Sequence, residues 1–182
     1  MASLQVQLID TNRELVHVDP VNHALLVTSA DGGSSGAGGS WAIDNGISFT
    51  AGVADKIGSG QRSYLRIQAG ANALYATFTW TGEDIAQVYV RKDPTVSAES
   101  AATAVNRNGE SATTSLATVT VPTTVSSIGT AVWTSLVPPG GGKDSQQFIL
   151  EPNSDYLILI EDISGTTQFF GMNIDFYEPD LT

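Results

Sequence analysis

Between residues 47 and 177 the apolar and β-branched side chains recur at every second position and not at helical spacing. Such a chain can bury its apolar residues only as sheet, because successive residues of a strand point to opposite faces. Ile47-Ser-Phe-Thr-Ala-Gly-Val53, Tyr64-Leu-Arg-Ile-Gln68, Ala73-Leu-Tyr-Ala-Thr-Phe-Thr-Trp80 and Ile85-Ala-Gln-Val-Tyr-Val90 read as strands, each closed by a Gly, Asp or Asn cluster. In the third, Leu74, Ala76, Phe78 and Trp80 face one way and Tyr75, Thr77 and Thr79 the other, as expected of a sheet with one face on a core. Ala117-Thr-Val-Thr-Val121, residues 128–137, Gln147-Phe-Ile-Leu150, Tyr156-Leu-Ile-Leu-Ile160 and residues 168–177 continue the series. Residues 91–112 break it. Arg91-Lys-Asp-Pro94 stops a strand, and the small polar stretch that follows reads as a long loop in which residues 97–105 could form a short helical turn or two. Pro138-Pro-Gly-Gly-Gly142 is a second irregular connection. About nine strands and long polar loops predict an all-β fold, an antiparallel β-sandwich of jelly-roll or Greek-key type. Connections too long for tight hairpins argue against an up-and-down barrel.

A different grammar precedes residue 41. Asp31-Gly-Gly-Ser-Ser-Gly-Ala-Gly-Gly-Ser40 has no side chain able to hold a core and reads as a flexible linker. It separates the sandwich domain, residues 41–182, from an extended N-terminal arm, residues 1–30, rich in Leu, Ile and Val. An arm that cannot bury itself is expected to grip something else, and Leu4, Val6, Leu8, Ile9, Val18, Val21, Leu25, Leu26 and Val27 are its candidate anchors. At 182 residues the chain has room for one sizeable domain besides the arm. Its net charge is −11, and beyond Lys143 there are eight acidic residues and no basic one, which disfavours nucleic acid and anionic membrane surfaces as partners. There is no cysteine, so the core must hold by burial and strand pairing. No apolar run is long enough for a membrane-spanning helix, and no secretory signal is expected.

The chemistry-bearing residues assemble into no known constellation. His17 and His23, six residues apart on an extended chain, would lie about 20 Å from each other, too far to share a metal. Glu83-Asp84 and Glu161-Asp162 are adjacent pairs whose members point to opposite faces of a strand, so neither is an acid/base dyad. Asp144, Asp155 and Asp162 are oxygen ligands without the spacing of a calcium loop. Gly36-Ala-Gly-Gly39 and Gly140-Gly-Gly-Lys143 lead into no helix and so make no phosphate loop. No Gly-x-Ser-x-Gly elbow occurs, and no cofactor is implied. Trp41, Trp80, Trp133, Tyr75 and Tyr89 read first as core or subunit interface. Exposed coplanar rings on one sheet face would instead favour a carbohydrate-binding or receptor-binding fibre module. Two carboxylates from different strands facing across a cleft would favour a glycosidase.

Val18-Asp-Pro-Val-Asn-His-Ala-Leu-Leu-Val27, Asn106-Arg-Asn108, Gly129-Thr130, the Gly140-Gly-Gly142 loop, Glu151-Pro-Asn-Ser-Asp-Tyr-Leu-Ile158 and Asp175-Phe-Tyr-Glu178 together resemble a family of tailed-bacteriophage virion structural proteins. Members of that family often carry a histidine-rich stretch after the arm, where this chain has Ser29-Ala-Asp-Gly-Gly33. The resemblance implies a non-enzymatic component of the virion, an auxiliary capsid protein that decorates or cements the head exterior. It further implies a homotrimer whose partner is the major capsid protein. It supplies no catalytic residue.

Overall fold

A computed structural model describes residues 16–18, 25–27, 42, 45–138 and 142–179. The chain divides into two units, Met1–Ser34 and Ser35–Thr182. In the first, β1 (Val16–Val18) and β2 (Leu25–Val27) pair antiparallel, with Val16 opposite Val27, His17 opposite Leu26 and Val18 opposite Leu25. His23, whose distance from His17 the sequence set at about 20 Å, lies outside the described residues.

The second unit is all-β, with two antiparallel sheets built from β3 (Ser48–Ile57), β4 (Arg62–Gln68), β5 (Leu74–Gly82), β6 (Ala86–Lys92), β7 (Thr95–Ala101), β8 (Val105–Asn106), β9 (Thr118–Ser127), β10 (Thr130–Val137), β11 (Gly142–Leu150), β12 (Asp155–Asp162) and β13 (Gln168–Tyr177). Sheet 1 has the order β10-β6-β12-β4-β9-β7 and sheet 2 the order β11-β5-β13-β3-β8. Five of the ladders are nested. β3 pairs with β13, β4 with β12, β5 with β11, β6 with β10 and β7 with β9, as if one long hairpin had been rolled up.

The core lies between the sheets, and the expected alternation explains it. Leu74, Ala76, Phe78 and Trp80 of β5, Phe170, Met172, Ile174 and Phe176 of β13, and Phe49 and Ala51 of β3 meet Leu65 and Ile67 of β4, Val88 and Val90 of β6, and Tyr156, Ile158 and Ile160 of β12. Burial of such side chains stabilises the fold by about 1.5–3 kcal/mol each.

Half of the loop expected over residues 91–112 is instead strand, and residues 107–112 are loop as expected. β7 is small, polar and almost wholly exposed, so its pattern carries no burial signal; pairing with β9 alone makes it a strand. Only its start follows expectation, since β6 ends at Lys92 before Asp93-Pro94. β6–β10 and β7–β9 form one continuous ribbon, broken where Asp93 (φ 57°) faces Gly129 (φ 76°). A side chain at Gly129 would place its Cβ 2.2 Å from the Lys92 carbonyl oxygen, so the bend requires glycine there. β6 lies beside β12 and β9 beside β4, so the ribbon leaves sheet 1 on one side of the β12–β4 pair and rejoins it on the other.

Candidate functional site

The anchoring residues expected in the arm receive no side-chain placement. Leu4, Val6, Leu8, Ile9 and Val21 lie outside the described residues, and for Val18, Leu25, Leu26 and Val27 only the strand pairing of β1 and β2 is described. His23 and Trp41 are likewise outside them. In the sandwich Asn106 and Glu178 hold the scaffold. Asn106 Nδ2 donates to the carbonyls of Gly46 (2.7 Å) and Thr113 (3.0 Å), tying down the loop before β9. The buried Glu178 carboxylate accepts from Ser115 Oγ (2.5 Å) and from the backbone N–H groups of Leu116 (3.1 Å) and Ala117 (3.3 Å). Its negative charge is compensated there by converging dipoles.

The two outward faces of the sandwich differ. On sheet 1, Leu157 and Leu159 sit on the side of β12 opposite the core residues Tyr156, Ile158 and Ile160, yet both have 0% exposure. In register they are flanked by Arg66 and Arg91, and by Tyr64 and Tyr89. Arg66 is fixed over this face by Asp155, through Nε (2.9 Å) and Nη2 (2.5 Å), and by Glu99 of the ribbon, through Nη1 (2.7 Å). Hydrogen bonding to Asp155, with Glu99 adding to it, raises the Arg66 pKa well above its ordinary value. Partial burial of Glu99 opposes its ionisation, but the bonds from Arg66 and from Thr120 Oγ1 (2.7 Å) outweigh that and bring its carboxyl below its ordinary value.

On sheet 2 the outward face is partly exposed, with Thr77 buried at its centre. One row runs Ile149, Tyr75, Tyr177, and the next Gln147, Thr77, Asp175, Thr50, Val105. The third is Ser145, Thr79, Asn173, Gly52. Ile149 is 65% and Tyr75 37% exposed, and Tyr75 stacks on Tyr177 with centroids 4.7 Å apart and ring planes within 8°. Thr50 Oγ1 donates to Asn173 Oδ1 (3.2 Å) across the face. At the far end, Gly171, Ala54 and Gly82 leave a pocket of about 290 Å³, walled by Thr81, Glu83, Phe169 and Phe170. Phe169 is 54% exposed, with Lys56 Nζ 5.2 Å from its ring centroid. The Phe169 N–H donates to Glu83 Oε2 (3.2 Å) and the Glu83 N–H to the Phe169 carbonyl (3.3 Å), which holds that carboxylate in place. A Cβ at Gly171 would come within 2.9 Å of Thr81 Oγ1, so glycine lets β13 lie close beneath that side chain.

The carboxylates singled out in the sequence are dispersed. Glu161 pairs with Arg62 (2.9 Å), while Asp162 turns to the core side, where its Oδ1 accepts from the Ser164 N–H (2.8 Å). Asp144 is exposed and Asp155 is committed to Arg66. No three His, Cys, Asp or Glu side chains among the described residues are grouped as metal ligands. On the open face Glu83 and Asp175 are separated by six residues of β5 register, about 20 Å, well beyond the spacing of a glycosidase carboxylate pair. Of the aromatics, Trp80 is core, and Trp133 is half-buried 5.0 Å from Trp80 and 6.2 Å from Phe148, closing the core between the edge strands β10 and β11. Tyr89 lies beneath Arg91. Of the pocket residues, Glu83 was weighed in the sequence only as half of an adjacent carboxylate pair and Phe169 and Thr81 were not singled out, although Gly171 inside an apolar strand is a signal of close backbone approach. No protein-family model matches the chain, and no curated protein matches it.

Proposed function

We propose that this chain is a bacteriophage virion structural protein, a capsid decoration or cement protein whose sandwich is a jelly roll and which acts on the head exterior as a homotrimer. The nested pairing of β3–β7 with β9–β13 is the observation that carries the reading. It is the strand order of a rolled hairpin, a construction suited to rigid shells and shell-bound modules, and it agrees with the resemblance of the loop and strand-end motifs. Residues 1–30 serve as the arm that grips the capsid lattice or a sibling subunit, anchored by the apolar side chains from Leu4 to Val27 named above. Three arms acting together bind far more tightly than one. The protein performs no reaction and needs no cofactor.

Electron cryomicroscopy of purified particles containing the chain tests this. The expected map shows the sandwich in threefold groups on the outer head surface, and removal of residues 1–34, at the boundary between the two units, strips it from the particles. Density confined to the tail, or full occupancy by the truncated chain, would overturn the reading.

A further inference from the structure

We propose that the open face of sheet 2 binds a neutral oligosaccharide, with its principal subsite in the pocket at Phe169. The inference does not rest on the virion reading: a chain absent from every particle would sink that one and leave this intact. The pocket, about 290 Å³, is at the small end for ligand sites and suits one sugar ring. Its parts match what a ring presents. The half-exposed Phe169 offers an apolar surface to the C–H groups of a pyranose. Glu83 is held by the Phe169 N–H through Oε2, and its other oxygen has no partner among the described residues, so an oriented acceptor faces the pocket for a sugar hydroxyl. Thr81 is exposed beside it and Lys56 supplies a donor above the ring.

From this pocket the face continues as short polar side chains in register, the half-buried Thr79 and Asn173 and then Asp175 beside the buried Thr77, until it reaches the stacked Tyr75 and Tyr177. The run from Thr81 to Tyr75 covers about 20 Å, long enough for several linked rings. Charge selects among ligands. Glu83 and Asp175 on this face outnumber Lys56, and together with a net charge of −11 they disfavour phosphates and acidic sugars, leaving a neutral chain as the complementary occupant.

Titration of the full chain with maltohexaose, cellohexaose and chitohexaose, followed by backbone amide shifts, tests the site. Hexagalacturonate provides the acidic comparison. Saturable binding of at least one neutral hexaose is expected, with a Kd of about 0.1–1 mM and shifts at Thr81 and Gly171. Phe169→Ala should weaken it about tenfold, and Glu83→Gln severalfold, with both variants melting like the parent because both side chains are exposed. Leu136→Ala, at an exposed residue of sheet 1, should leave binding unchanged. No saturable binding of any neutral hexaose up to about 10 mM would overturn the proposal. So would indifference to both substitutions, or tighter binding of the galacturonate.

Discussion

Leu157 and Leu159 on the outward face of sheet 1 have no exposed surface, whereas Ile149 and Phe169 on the outward face of sheet 2 keep 65% and 54% of theirs. Both faces belong to antiparallel sheets that share one core, so the core cannot be the cause of the difference. The side chains beside the central strands are. β12 is flanked by Arg66, Arg91, Tyr64 and Tyr89, long enough to lie over their neighbours, and Glu99 of the folded-back ribbon ties down Arg66. β13 is flanked by Thr77, Thr79, Thr50 and Gly52, which end close to the sheet. The outward face of sheet 1 is thus closed over its central strand, while on sheet 2 Ile149, Tyr75 and Phe169 stay exposed around a buried Thr77.

The sharpest way to break this contrast is a paired truncation. Leu157→Ala removes a fully buried side chain and is expected to cost about 2–5 kcal/mol, whereas Thr79→Ala on the open face should stay within about 0.5 kcal/mol. Urea unfolding of both variants measures it. Equal losses would mean that the two faces share the stability of the sandwich alike.

How much of this contrast could be read in advance depends on the strand. The strict alternation of β5 gave its core face residue by residue, and Leu74, Ala76, Phe78 and Trp80 are all buried. In β12 the run Leu157-Ile-Leu-Ile160 is continuous and not alternating, which is how a strand buried on both faces is written. A continuous run does not by itself say what lies on its second side. β7 was illegible for the opposite reason: Thr95-Val-Ser-Ala-Glu-Ser-Ala101 has little to bury, and its strand state comes from β9, with three irregularities in the register. The pocket at Phe169 was hidden because its walls come from strands far apart in sequence, and only register brings Gly82 beside Phe170.

A smaller effect tests whether the ribbon helps to close sheet 1. Glu99 has its folded-state pKa lowered, so it contributes stability at pH values above its ordinary pKa, near 4.3, and that contribution is lost as pH falls through the lower folded value. The pair with Arg66 is partly solvent-screened, so the contribution should be about 1 kcal/mol or less. Glu99→Gln is expected to be less stable than the parent at pH 7 and to approach it near pH 3. A gap that persists undiminished at pH 3 would assign the loss to packing and not to the charge.

The smallest effect belongs to the open face. Burial, with the neighbouring Tyr75 adding to it, raises the Tyr177 pKa above its ordinary value of 10.0. A raised phenol gives stability that is fully present below the unfolded pKa and disappears as pH rises through the folded one, because in alkali the unfolded phenol releases its proton at lower pH than the folded one. Tyr75→Phe keeps the stacked ring and removes the second ionisable hydroxyl. At pH 7 its stability should match the parent within about 0.5 kcal/mol, while ultraviolet titration should place the Tyr177 phenolate at lower pH than in the parent. Because this pair lies on the outward face of sheet 2, across the core from Leu157, the shift should leave the melting of sheet 1 variants such as Leu157→Ala untouched, and the two substitutions should add. Strong non-additivity would show that the open face is coupled to the covered one through the core, and the division of labour between the two faces would fail at that point.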